Sequence, residues 1–244
     1  MTASVWRRPA YGVDLGYTTE VSARVDYISI PDGRCGLVWA RGDVWWLGPS
    51  TRPWRSTAVG KVVGVRLSFG AGRIFVGEPL HPWRDGCVPL SALTQAVGVY
   101  RAAESLARAA EGEHLPMLGG LVSSRLRSAG GLDLAAVSLA AQIGQGANVA
   151  ALADSLDISP RQLLRQCNDL FGMPPSTLRK ILRLHRAAKR DPDEGGRWAA
   201  VAAAEGYADE SHLARDARAL TLTSMRVASS HPVRFVQDAA AVSA

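Results

Sequence analysis

Cysteine is scarce in this chain: Cys35, Cys87 and Cys167 are the only three in 244 residues, with no CxxC or CxxxC spacing and no histidine pair nearby. An odd, scattered set predicts neither a disulfide framework nor a zinc site, and free thiols point to a reducing compartment. Also lacking is any uninterrupted apolar run of about 18 residues, the length a membrane span needs. The opening MTASVWRRPAYG has no apolar stretch of the signal-peptide kind. A cytoplasmic protein with no membrane partner is therefore expected. Nothing resembles a glycine-rich phosphate loop, a serine or cysteine triad, or paired carboxylates in a catalytic context, so no catalytic residue, cofactor or metal is expected, and His81 in LHPWRDG reads as a turn histidine.

Charge of one sign is not strongly in excess either. The formal net charge is +6 with a pI near 9.6, which permits an anionic partner. The excess is spread evenly, +4 over residues 1–144 and +3 over 145–235, so only a local arrangement of cations can point to nucleic acid. The length favours two modest domains.

What is present changes character along the chain. Val21, Ala23 and Val25 alternate with polar residues, GLVWARGDVWWLG reads as two strands joined at Ala40-Arg41-Gly42-Asp43, and KVVGVRLSF is rich in β-branched residues before Gly70-Ala71-Gly72. This predicts a small antiparallel β domain. Six of the seven tryptophans lie here (Trp6, Trp39, Trp45, Trp46, Trp54 and Trp83). Two readings stand: Trp39, Trp45 and Trp46 line a ligand cavity, or large side chains fill a small sandwich or barrel. From Ser91 the texture turns to alanine, leucine and spaced charges. One helix is expected over 91–112 with Leu93, Val97, Tyr100 and Leu106 as its apolar stripe, packed on the β domain or forming a dimer seam. A second is expected over Leu118–Ser128, ahead of the Ala129-Gly130-Gly131 break.

Residues 157–172, DISPRQLLRQCNDLFG, carry a complete set of helix signals. Ser159 and Gln162 can form a capping box, Pro160 sits at the first helical position, Gly172 suits a left-handed end, and Pro174 and Pro175 stop continuation. At about 100° per residue, Leu163, Cys167 and Leu170 form one stripe, and Arg161, Arg165 and Asn168 the opposite one. The pattern recurs at an offset of 50 in DESHLARDARAL: Asp209 takes the cap, Leu213, Ala217 and Leu220 the packing stripe, and Ser211, Arg215 and Arg218 the polar stripe. A short apolar helix precedes each, VAALADSL and RWAAVAAAEG, with a tight turn between. That is a helix-turn-helix layout, in which the first helix braces the second so that its polar face can enter a DNA major groove. Arginine and amide side chains on one face supply the donors and acceptors that read purine edges.

Between the repeats, STLRKILRLHRAAKR has six cations and no acid. Arg179, Arg183, Arg186 and Arg190 share a face opposite Leu178, Ile181, Leu182, Leu184 and Ala188, which suggests phosphate contact as one use of the cationic side.

These stretches carry a resemblance. LADSLDISPRQLLRQ, FGMPPSTLRKILRLHRA and AAAEGYADESHLARDARAL, in this order over roughly 147–236, resemble the DNA-binding region of AraC/XylS-type transcription regulators. The order of β domain, helical connector and helical half resembles that family too. It implies an α+β chain: a β-rich, cupin-like or jelly-roll sensor domain at 1–90, a helical connector or dimerisation segment at 91–129, and a DNA-binding domain at 130–244 with two helix-turn-helix units joined by a long helix. The function implied is a sequence-specific transcription regulator of double-stranded DNA. A small-molecule effector or partner would act at the N-terminal domain, a homodimer is one assembly, and RNA polymerase is a partner if the protein activates. The DNA-binding candidates are Arg161, Gln162, Leu164, Arg165, Asn168, Arg179, Arg183, Arg186, Ser211, His212, Arg215 and Arg218, with His212 entering mainly through the family pattern. The chain departs from that pattern where Cys167 and Ala217 stand in place of phenylalanine, where Thr221 replaces glycine, and where Thr223-Ser224 replaces Thr-Pro. Two other classes stay open. One is a ligand-binding or protein-interaction module with weakened DNA binding. The other is a cysteine-dependent DNA alkyl-transfer protein using Cys35 or Cys87, which would need an activated thiolate.

Overall fold

The computed structural model describes residues 2–93, 101, 104–106, 108–110, 112–190 and 198–222. Its first half is a curled antiparallel sheet. The strands are β1 (Thr2–Ala10), β2 (Val13–Ser29), β3 (Gly36–Ala40), β4 (Asp43–Leu47), β5 (Trp54–Leu67) and β6 (Cys87–Pro89), in the order β1-β2-β5-β3-β4-β6. The β3–β4 hairpin turns through Arg41 and Gly42, both at positive φ (55° and 80°), with Ala40 paired to Asp43. Positive φ at both central positions gives the turn whose twist matches its strands. Strands β2 and β5 pair along almost their whole length, with a register shift between Val21 and Val25. β1, at the sheet edge, was not among the expected strands, and Gly70-Ala71-Gly72 proves to open a short helix, α1 (Gly72–Val76), not merely a break.

Leu37, Val44, Trp46, Val63, Val65 and Leu67 are buried on the sheet, closed over by Phe75 and Val76 of α1 and by Leu118, Val122 and Leu126 of α2 (His114–Ser128). Helix α2 thus begins four residues before its expected start. Half of the helix expected over 91–112 lies outside the described residues, Val97 and Tyr100 included. Leu93 and Leu106 are described and are buried in this same sheet core.

The second half is helical: α3 (Leu134–Gly144), α4 (Val149–Ser155), α5 (Pro160–Phe171), α6 (Pro175–Lys189), α7 (Trp198–Ala204) and α8 (Glu210–Thr221). Its core is separate from the first and is built from every helix of the set, with Leu163, Cys167, Leu178, Ile181, Leu184, Val201, Leu213 and Ala217 among its members. Phe69, beyond the end of β5, packs against this second core, its ring edge-on to Phe171. No described helix is long and apolar enough to cross a membrane.

Candidate nucleic-acid interface

Helix α5 starts as its residues dictate. The Ser159 Oγ accepts from the Gln162 amide, and Gln162 Oε1 accepts from the Ser159 amide at 2.8 Å, closing the capping box. Gly172 ends the helix at φ 71°, its N–H donating to the Asn168 carbonyl. Helix α4 runs ahead of it and is capped by Asn148. In α8 the Asp209 carboxylate accepts from the His212 amide at 2.6 Å, and the helix ends at Leu222 in the left-handed conformation. The two units therefore share a plan: a short brace, a capped start and a left-handed stop.

Their outer faces are polar and open. Arg161, Gln162, Leu164 and Arg165 of α5 are exposed, as is Gln166, which the helical wheel had not singled out. On α8, Ser211, Arg215 and Arg218 are exposed and His212 is half-buried. The packing stripes are in place, with Leu163, Cys167, Leu213 and Ala217 fully enclosed and Leu220 nearly so.

Asn168 is placed differently from its expected open position. Its Oδ1 accepts from Arg84 of the sheet domain at 2.9 Å and its Nδ2 donates to the Leu164 carbonyl. Arg84 also donates to the Gly172 carbonyl, the Leu80 amide donates to the Asp169 carbonyl at 2.9 Å, and His81 Nδ1 lies 3.3 Å from the Asp169 carboxylate. The segment Leu80–Arg84 thus grips the C-terminal end of α5 and leaves its N-terminal turns open. Sequence periodicity on α5 held no signal for this contact, because its partners lie over 80 residues away.

The cationic side of α6 also needs correction. Its acids come from other elements: Arg186 and Arg190 both pair with the enclosed Glu205 carboxylate, and Arg183 and Lys180 pair with Asp216 at 2.9 and 3.2 Å. Arg183 is only 13% exposed, donates to the Gly206 carbonyl, and lies over the Tyr207 ring at 3.7 Å. Arg186 donates to the Gly144 carbonyl as well. Much of this face therefore joins α6 to the second helix-turn-helix unit. Arg179 is exposed and has no ion pair among the described residues.

In the sheet domain, Trp46 is wholly enclosed and stacks on Phe75, so it fills the core. Trp39 is half-buried against the His114 ring, and Trp45 is half-buried on β4. A surface cavity of about 380 Å³ is lined by Tyr11, Arg127, Gly130 and Gly131 and by none of the three. The three cysteines are free. Burial pushes the thiols of Cys35 and Cys87 up and that of Cys167 up to about 12, the opposite of an activated thiolate. Among the described residues no group of histidine, cysteine and carboxylate side chains could hold a metal ion.

Residues 152–227 match a family model described as a helix-turn-helix domain. This region is a helix-turn-helix domain. No curated protein matches the chain in sequence. Among solved structures it is similar to ToxT from Vibrio cholerae, at 12% identity and TM-score 0.43 over 97% of each chain. It is also similar to unsaturated fatty acid bound wild-type ToxT, at 12% identity and TM-score 0.41 over 91% of this chain and 92% of that one. The matched region takes in both capped helices, the second brace, the end of the first and all of α6.

Proposed function

We propose that the protein is a sequence-specific, DNA-binding transcription regulator acting in the cytoplasm. The observation that carries this reading is the pair of exposed, N-capped helices, α5 and α8, each braced by a preceding helix and each presenting arginine beside other polar groups. Arg161 and Arg165 of α5 offer guanidinium donors suited to guanine O6 and N7. Ser211, Arg215 and Arg218 of α8 offer the second set, and the open cation Arg179 is suited to phosphate. Helix α6 has 15 residues, which at 1.5 Å per residue makes it about 22 Å long. Helices at its two ends are suited to major-groove segments one turn apart, about 34 Å. The site would then be two unequal elements read by one chain. The grip of Leu80–Arg84 on α5 gives the sheet domain a direct hold on the first reading helix, so a small molecule or partner acting on that domain would be felt there.

The test is selection of binding sites from random DNA by the full chain, followed by footprinting. Two protected segments one turn apart are expected. Arg165→Ala should weaken the selected site by about 1 to 3 kcal/mol and relax one base preference. If binding to random DNA shows no salt dependence, the chain makes no phosphate contacts and the module reading replaces this one.

A further inference from the structure

His212 occupies the third helical position of α8, the place Gln162 holds in α5. The two are used differently. In α5 the Gln162 side chain is taken up by the capping box. In α8 the Asp209 cap needs only the His212 backbone, which leaves the imidazole free for another task.

The structure surrounds that ring on one side. Arg183 of α6 places Nη2 at 3.3 Å from His212 Nε2 and 2.9 Å from Asp216 Oδ2, and Nη1 at 3.2 Å from the Gly206 carbonyl. Tyr207 meets the imidazole edge-on at 5.2 Å and carries the Arg183 guanidinium on its face. A guanidinium has donors and no acceptor, so a ring nitrogen hydrogen-bonded to it must be bare. The ring proton then sits on Nδ1, which has no hydrogen-bond partner among the described residues. Asp216 is itself enclosed and held by both Lys180 and Arg183, which fixes the guanidinium in turn.

We propose that Arg183 is a positioning residue that locks His212 in the Nδ1–H tautomer, so that the first turn of α8 presents DNA with a hydrogen-bond donor and selects an acceptor. This rests on the DNA-binding reading above. Acceptors that such a donor can meet are guanine N7 and O6, adenine N7, thymine O4 or a phosphate oxygen; adenine N6 and cytosine N4, which are donors, are disfavoured. Arg183 takes part in recognition without touching DNA.

The tautomer is measured first, on the full chain without DNA, by long-range proton–nitrogen spectra of the His212 ring at slightly alkaline pH. Protonated Nδ1 and bare Nε2 are expected; protonated Nε2 overturns the proposal and needs no variant to show it. Arg183→Met, whose thioether cannot donate, should release the lock, giving the Nε2–H form or a mixture. An unchanged Nδ1–H ring in that variant would remove Arg183 from the role. On the DNA arm, His212→Ala and Arg183→Met should lose preference at the same single position of the selected site, with the double variant no worse than either alone. Replacing the purine there by its 7-deaza analogue should abolish the effect if N7 is the acceptor, and a methylphosphonate should do so if phosphate is. Additive losses, or losses at different positions, overturn the coupling. If no site is enriched at all, the DNA-binding reading falls and the presentation to DNA falls with it, while the ring spectra still report on the lock.

Discussion

Leu222 ends the second reading helix at φ 60° and ψ 13°, the conformation in which Gly172 ends the first. An L side chain in that region costs about 1 to 2 kcal/mol, and Leu222 is 48% exposed, so little packing offsets the strain. Leu222→Gly is expected to raise stability by about 1 kcal/mol, seen as a higher thermal midpoint; a lower one would mean that its contacts outweigh the strain. The caps were legible in the sequence at this scale, because Ser159, Gln162, Asp209 and Gly172 act on backbone within a few residues of themselves. Asn168 was not. A helical wheel places it correctly on the polar stripe of α5 but holds no information about Arg84, which reaches it from the other domain.

Among the elements, α4 to α6 and α7 to α8 were readable because their periodicity, caps and stops agree with one another. Two features resisted. Strand β1 carries Arg7-Arg8-Pro9, which breaks alternation, and it is stable only as an edge, where a proline need not donate to a neighbour. The cationic side of α6 looked unbalanced because its counterions, Glu205 and Asp216, belong to the second unit. Glu205 holds two arginines with its side chain 5% exposed, while Arg186 and Arg190 are 40% and 54% exposed. Glu205→Gln should therefore cost about 2 kcal/mol, less than breaking a fully enclosed pair, because both guanidiniums can turn to water. The expected readout is a lower urea midpoint at unchanged slope. No shift in the midpoint would show that this pairing holds nothing together.

At the scale of the molecule, two cores meet across a small polar and aromatic seam. The change of texture after the sheet and the Ala129-Gly130-Gly131 break made two bodies readable, but the seam is assembled from single residues of distant segments and has no periodic signature. The helical core draws on Phe69 alone among the sheet-domain hydrophobics. A fragment starting near Leu132 is accordingly expected to fold by itself, with a helical circular dichroism spectrum and a cooperative melt; an unfolded fragment would place the boundary elsewhere. Within the seam, His185 of α6 is buried and its Nε2 donates to the Pro31 carbonyl at 2.7 Å. Burial lowers its pKa from 6.5 to about 4, against the pull of Asp32 and of the Pro31 carbonyl, with Arg34 and Lys189 adding repulsion of the charged form. A group with a depressed folded pKa that must stay neutral binds fewer protons folded than unfolded. The docked, folded state therefore has its full stability above about pH 6.5 and loses it as pH falls toward 4, by up to about 3 kcal/mol from this residue. His185→Gln keeps a donor for Pro31 and cannot ionise, so it should flatten this part of the profile between pH 6.5 and 5, before most carboxylates titrate. His81 also lies at the seam, beside Asp169, and is left in place in both proteins. The measurement is the urea midpoint of the full chain at a series of pH values. Equal slopes in the parent and in His185→Gln would show that His185 does not couple protons to the joining of the two domains.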